Sequence, residues 1–153
     1  MKAFRILCLV PILSLISVMA FAADYKLGSL EITQPWTRAT AATAPTGAGF
    51  LTITNKGTTP DRLVSVRTSA ANQSEIHEMK MDGNVMRMRE LDGGLVIAPG
   101  ATVALAPGGF HVMMMGLKAP FKEGTSVPLT LVFEKAGSID VELSVKNLGA
   151  TKP

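Results

Sequence analysis

Histidine and methionine side chains are concentrated in one part of this chain. Both histidines, and every methionine after residue 22, fall between His77 and Met115. The first cluster runs from His77 through Met79 and Met81 to Met86 and Met88, and the second reads His-Val-Met-Met-Met over residues 111–115. Thioether sulfur and neutral imidazole suit a soft, monovalent ion such as Cu(I) far better than magnesium, calcium or manganese. These residue types therefore indicate a Cu(I) site.

Ordinary packing is the competing interpretation of the same residues. Methionine on a half-buried strand is usually a hydrophobic residue that fills a gap in the core. That role is sufficient for Met79, Met81, Met86 and Met114, and a lone histidine is more often a surface or core residue than a ligand. However, each of the two histidines begins a His-x-Met unit, at His77 and at His111. This joint occurrence favours a metal site over chance packing.

The N-terminus has the pattern of a secretory leader. Lys2 and Arg5 precede an apolar run over residues 6–18, which ends in the small-x-small sequence Ala20-Phe21-Ala22. This pattern predicts a cleaved signal peptide over residues 1–22 and a secreted product that begins near Ala23. The apolar run is too short to span a bilayer comfortably, so we expect no membrane insertion of the mature chain.

Loss of the leader would change both the charge and the cysteine count. Without Lys2 and Arg5 the chain has 13 basic residues against 12 acidic ones, a net charge of about +1. This charge is too low to indicate a surface that binds nucleic acid. Cys8, the one cysteine, would leave as well, so no thiolate would be available as a ligand or nucleophile. Cys8 follows Arg5-Ile6-Leu7, without the small residue that precedes a lipid-accepting cysteine, and this disfavours a lipid anchor.

The remaining residues, 23–153, are about enough for one domain. Turn signals recur about every ten residues, and the segments between them alternate with period two and are rich in β-branched residues, which is typical of sandwiches and barrels. We predict an all-β fold of eight to ten strands in two packed antiparallel sheets, with the small-residue stretch Ala39–Gly49 as a loop. The clearest strand segments are residues 50–54, 62–66, 102–105, 127–133 and 139–145.

Strand geometry assigns the candidate ligands to faces. Residues i and i+2 of a strand project from the same face, so His111 and Met113 should share one face while Val112 and Met114 lie in the core. Asp82-Gly83-Asn84 predicts a hairpin turn. With the turn centred near Gly83, position 77 should lie opposite position 88 or 89.

The order and spacing of these residues resemble the periplasmic PCu(A)C copper chaperones. Their signature is a histidine, ten residues, a methionine, twenty-one residues and then His-x-Met. Here ten residues separate His77 from Met88, and His111-Val112-Met113 follows after twenty-two, one more than the signature, which the turn Asp92-Gly93-Gly94 can absorb. Further similar segments are Gln34-Pro35-Trp36-Thr37-Arg38, Ala48-Gly49-Phe50-Leu51, Ala106-Pro107-Gly108-Gly109-Phe110-His111 and Met115-Gly116-Leu117.

The resemblance implies a cupredoxin-like antiparallel β-sandwich that binds one Cu(I) and delivers it toward cytochrome c oxidase. Carried over by position, the ligands would be His77, Met88, His111 and Met113. The acceptor would be an oxidase subunit or a Sco-type assembly factor, and we expect a monomer in the periplasm. A blue-copper electron-transfer centre is disfavoured because it needs a cysteine thiolate.

Two other classes of function compete with a copper carrier. An enzyme is disfavoured, because a Ser or Thr nucleophile has no paired base and zinc-hydrolase spacing is missing from the sequence. The nearby carboxylates of Glu75, Glu78, Glu90 and Asp92 are predicted to be solvated strand faces or turn residues. The alternative that stays open is a copper-free, secreted β-sandwich interaction module with a methionine-rich binding surface.

Overall fold

The computed structural model describes residues 24–153, so the predicted signal peptide over residues 1–22 lies outside the described residues. These residues form eleven strands joined by turns and loops. No helix within residues 24–153 is long and apolar enough to cross a membrane. The strands are β1 (Tyr25–Leu27), β2 (Leu30–Arg38), β3 (Thr46–Asn55), β4 (Asp61–Arg67), β5 (Ala71–Asp82), β6 (Val85–Glu90), β7 (Leu95–Ile97), β8 (Thr102–Leu105), β9 (Phe110–Leu117), β10 (Ser126–Phe133) and β11 (Gly137–Lys146).

The strands follow one continuous hydrogen-bonded path. Its order is β6-β5-β9-β8-β3-β2-β11-β10-β4-β7, with β1 on β2 and an additional pairing of β3 with β9. The all-β, cupredoxin-like class is confirmed, but the sheet is mixed, because β11 pairs with β2 and β8 with β9 in parallel. The β2–β11 pair could not be predicted from local turns, because β3 to β10 lie between these two strands in the sequence. β8 and β9 follow one another directly, and their parallel pairing is limited to Leu105 and Phe110 across the loop over residues 106–109. The three-residue strands β1 and β7 are too short to show an alternation of apolar and polar residues, so the sequence pattern did not predict them.

The core contains the apolar residues that alternate along the predicted strands. Ile32, Ile53, Leu63 and Leu131 are fully buried, and residues of β9 join them. Val112 and Met114 are both 0% exposed, as the period-two assignment predicted. The intervening residues of β9 therefore project from the opposite face, where the candidate ligands lie.

The small-residue stretch Ala39–Gly49 is only partly a loop, so that prediction is wrong at its C-terminal end. β3 already begins at Thr46, and residues 46–49 pair with β9. A Cβ on Gly47 would lie 2.8 Å from the Phe121 ring, and one on Gly49 would lie 3.0 Å from Leu143. The small residues thus permit close packing within a strand, a role that composition does not distinguish from a turn.

The hairpin between β5 and β6 forms where it was predicted, with a different register. Asp82 pairs with Val85 across a two-residue loop, so Met79 lies opposite Met88 and His77 lies opposite Glu90. The predicted pairing of position 77 with 88 or 89 is wrong, because the turn centre lies between Gly83 and Asn84. A shift of two residues leaves every side chain on its face. Met88 therefore still shares a face with His77, two cross-strand pairs nearer the hairpin tip.

A tight turn follows β6 at Asp92-Gly93-Gly94, the segment that we expected to absorb the one extra residue. The Gly94 amide donates a hydrogen bond to the Leu91 carbonyl at 2.9 Å. Gly94 has φ +71°, and a Cβ there would lie 2.5 Å from the Leu63 carbonyl oxygen, whereas a Cβ on Gly93 would meet no heavy atom within 4 Å.

The Gly94→Ala variant should be destabilised by about 2–4 kcal/mol, because a left-handed alanine and a backbone clash each carry a cost. The free energy of unfolding from chemical denaturation is the measurement. Gly93→Ala is the matched control and should stay within about 0.5 kcal/mol of the unchanged protein. Equal stability of the two variants would contradict the strained turn.

Candidate metal centre

The two histidines lie side by side on neighbouring strands. β5 and β9 pair in antiparallel register with His77 directly opposite His111. The imidazole centroids are 5.8 Å apart, and the ring planes meet at 69°. The preceding pair along the ladder, Ile76 and Val112, is buried in the core. Alternation along both strands therefore places the imidazoles together on the outer face of the sheet.

Methionines surround the imidazole pair on that face. Met113 follows His111 by two residues on β9 and pairs with Glu75 and with Ala48. Met79 follows His77 by two residues on β5 and lies opposite Met88 on β6. Three thioethers from three strands are thus brought to one side of the sheet.

A cavity of about 440 Å³ opens beside these residues. Four of its lining residues are His111, Met113, Met79 and Met88, and the loop over residues 39–44 covers part of it. His77 does not line this cavity; it packs beside it against His111. Three of the four predicted ligands therefore border one space, and the fourth contacts it through its partner histidine.

His111 is held with one ring nitrogen available. Its Nδ1–H donates to the Gly109 carbonyl at 3.1 Å, which leaves the Nε2 lone pair free for a cation. Burial lowers the pKa of His111 from its ordinary value of 6.5 by removing water from the imidazolium form; the Gly109 hydrogen bond acts in the opposite direction, and His77 lowers the pKa further. The residue is thus kept in the neutral form that can ligate.

His77 is oriented by an acidic neighbour on its own strand. Its Nε2 lies 2.8 Å from Glu75 Oε2, and the two side chains are only 12% and 17% exposed. With Nε2–H as the donor to Glu75, Nδ1 carries the lone pair; that atom is buried and has no hydrogen-bond partner among the described residues. Gln73 also donates to Glu75. The prediction that Glu75 is a solvated strand residue is therefore wrong.

The donor set fits a soft cation. Within residues 24–153 no group of three His, Cys, Asp or Glu side chains could hold a metal ion. A metal here would consequently depend on sulfur beside the imidazoles, and this combination favours Cu(I) among biological ions. The orphaned Nδ1 of His77 and the free Nε2 of His111 supply two neutral nitrogen donors.

The other methionines are sorted by their positions. Met114 is fully buried in the core, whereas Met81 and Met86 are 54% and 51% exposed at the hairpin. Met79 lines the cavity, although core packing was a sufficient role for it in the sequence; the His77-x-Met79 spacing, which puts both residues on one strand face, is the signal that indicates the cavity position. Gln73, Glu75 and His77 are likewise spaced by two residues and share one strand face, but this spacing does not show that Glu75 is shielded from water.

The protein is an all-β protein with a mixed, cupredoxin-like sheet that carries two paired imidazoles beside thioethers. The family model described as "Putative lipoprotein LpqE-like" matches residues 30–145, and the chain belongs to this family. This chain is 33% identical over 118 residues to a putative lipoprotein of Leifsonia xyli subsp. xyli (strain CTCB07), and the match covers 77% of this chain and 70% of that protein.

Several solved structures share the fold. The apo PCuAC domain from PmoF1 is 29% identical with a TM-score of 0.70, covering 82% of this chain and 99% of that domain. The copper-bound PCuAC domain from PmoF2 is 26% identical with a TM-score of 0.69, covering 82% and 98%. The Cu(I) form of DR1885 from Deinococcus radiodurans is 29% identical with a TM-score of 0.61, covering 80% of each chain. The structural resemblance to PCuAC domains is confirmed.

The lowered pKa of His111 should make the metal-free protein less stable in mild acid. Below pH 6.5 the unfolded chain binds a proton more readily than the folded one, so stability is fully present above that pH and falls as pH decreases toward the folded-state pKa. Denaturation curves at about pH 7.5 and about pH 5.5 measure this loss. His111→Asn should lose less stability than the unchanged protein over that interval; equal losses would contradict the assignment.

Removal of the Glu75 carboxylate should remove the preference of His77 for one neutral tautomer. In the unchanged protein at about pH 8, the ¹⁵N shifts of His77 should report a protonated Nε2. Glu75→Ala should give a mixture of tautomers. Glu78→Ala is the control, because Glu78 bonds Arg89 instead. An Nε2–H tautomer that persists in Glu75→Ala would exclude Glu75 as the orienting group.

Proposed function

We propose that this protein is a Cu(I) carrier of the cell envelope, which binds one ion through His77, Met88, His111 and Met113. The observation that carries the proposal is the His77–His111 pair beside a methionine-lined cavity. Copper is the cargo in this proposal rather than a resident cofactor. The protein therefore has to release the ion as well as bind it.

The chemistry of the four donors suits reversible binding. Two imidazoles and two thioethers are neutral, so the loaded site keeps the positive charge of Cu(I). No donor except a protonated imidazole loses a proton on binding. A thiolate acceptor neutralises that charge and offers a softer anionic donor, so transfer to it is favourable. The half-exposed Met88 leaves one side of the site within reach of an acceptor.

Structural relatives support copper over other soft cations. The PmoF2 domain is described as copper-bound and the DR1885 structure as its Cu(I) form, and each shares the fold over at least 80% of this chain. The neutral donors support Cu(I) as the oxidation state, and the single imidazole pair supports one equivalent per chain. We extend the role to delivery toward cytochrome c oxidase, through an oxidase subunit or a Sco-type assembly factor.

Family membership supports a location outside the cytoplasm. Relatives in the family are named putative lipoproteins, which are secreted to the cell envelope. Together with the leader pattern in residues 1–22, this supports export to the periplasm with cleavage near Ala23. The N-terminal residue of protein recovered from an envelope fraction tests that location.

A copper-free interaction module is the second candidate, and one observation favours it. Met81, Met86 and Met88 are each about half exposed on the hairpin, as in proteins that use methionine at adaptable binding surfaces. Native mass spectrometry with Cu(I) separates the candidates. With one equivalent of Cu(I) added, a carrier gives a one-to-one complex, and an interaction module gives none.

Loss of one predicted thioether should remove one sulfur from the Cu(I) environment. X-ray absorption of the unchanged protein should fit two sulfur and two nitrogen scatterers, and Met88→Leu and Met113→Leu should each lose a sulfur. Their Cu(I) affinity in a competition titration should fall by about tenfold or more, because a ligand contributes at least as much as its hydrogen-bonded supports. Met114→Leu, in the core, is the control. Unchanged spectra for both variants would reject this ligand set.

Loaded protein should pass its copper to a thiolate acceptor but not to an acceptor with imidazoles alone. The test mixes the Cu(I) protein with a reduced Sco-type protein and with its Cys→Ser variant, followed by separation and metal analysis. We expect most of the copper on the reduced acceptor. Retention of copper by this protein in both mixtures would argue against a delivery role.

A further inference from the structure

The hairpin between β5 and β6 carries a row of methionines that no core contact explains. Met79 lies opposite Met88, and Met81 lies opposite Met86, so two cross-strand pairs follow one another along one face. Met81, Met86 and Met88 are 54%, 51% and 47% exposed, and all six residues of β6 are exposed. Side chains exposed to this degree contribute little to the buried core.

The other face of the hairpin carries mostly charged residues, so the thioethers are segregated to one side. Arg89 donates to Glu78 at 2.8 Å, and Arg87 lies 2.7 Å from Asp82. These charged side chains alternate with the methionines along both strands. A hairpin that only needed solubility would use polar residues on both faces, because an exposed apolar row has no stabilising role there.

Exposure increases along the row, away from the imidazole pair. His111 is 3% exposed, Met88 is 47% exposed, and Met81 near the tip is 54% exposed. Directly opposed side chains lie about 5 Å apart at Cβ, and successive pairs lie about 6.8 Å apart along a strand. Methionine has three rotatable bonds, so neighbouring sulfurs at these spacings can reach a common ion.

We propose that Met79, Met81 and Met86 form a second, outer position for a soft monovalent cation, through which Cu(I) enters and leaves the inner site. The proposal rests on the proposed function for the inner site, but its ligands are different residues. Thioether donors select Cu(I) or Ag(I) over harder ions. The outer position is weaker than the inner one, because water competes at exposed sulfur and three mobile side chains lose rotamer freedom.

Titration with Ag(I), a soft ion that needs no reductant, tests the outer position. The protein carries ¹³C-methyl methionine, and the spectra are recorded through two equivalents. The first equivalent should shift Met88 and Met113. The second, at least tenfold weaker, should shift Met79, Met81 and Met86. Resonances of Met81 and Met86 that stay unmoved through two equivalents would overturn the proposal.

A double variant separates the sulfur from the apolar surface. Met81→Leu/Met86→Leu keeps the apolar area, so it should lose the second binding event, retain the first and transfer copper more slowly. Val85→Leu/Val96→Leu, at two other exposed apolar positions, is the control and should keep both events. A second event of unchanged affinity in the methionine variant would overturn the outer position.

A variant of the inner site distinguishes a wrong proposed function from a wrong outer position. In His111→Asn/Met113→Leu the first event should disappear, while the shifts of Met79, Met81 and Met86 should persist. Persistence of the first event there would refute the proposed function and leave the outer position standing. Loss of the outer shifts in this variant would refute an independent outer position.

Discussion

The antiparallel pairing of β5 with β9 is the constraint on which the candidate centre depends. It places His77 directly opposite His111 and, in the same register, puts Ile76 against Val112 in the core. A shift of one residue would move either imidazole into the apolar interior, where no water or cation could reach it. The burial of Ile76 and Val112 thus fixes the imidazoles on the outer face more firmly than any contact between the imidazoles themselves.

Side-chain faces were predictable from the sequence, whereas the pairing between strands was not. Period-two alternation correctly assigned Val112 and Met114 to the core, and put His111 and Met113 on the other face. Register depends on the centre of a turn, and a displacement within Gly83-Asn84 moved the partner of Met88 from His77 to Met79. The parallel pairings and the early start of β3 depend on tertiary packing, which local pattern does not encode.

The candidate site shows the same division. Residue types and their spacing identified four candidate ligands, His77, Met88, His111 and Met113. Three of these line the same cavity. Glu75 was missed because a carboxylate on a strand is usually solvated, and only the folded chain shows it covered by its neighbours. Spacing identified the candidate donors. The groups that orient those donors became visible only in three dimensions.

Strand β6 is at one end of the hydrogen-bonded path, so one row of its backbone amides and carbonyls has no neighbouring strand among residues 24–153. Unprotected sheet edges promote aggregation, and proteins commonly guard them with charged side chains. Arg87 and Arg89 alternate with Met86 and Met88 on this strand. A second strand docking on this edge would remove water from the arginines and their carboxylate partners, which opposes edge-to-edge association of two copies, and the methionine sulfurs stay accessible. One short segment can therefore be both reactive toward a soft ion and resistant to self-association.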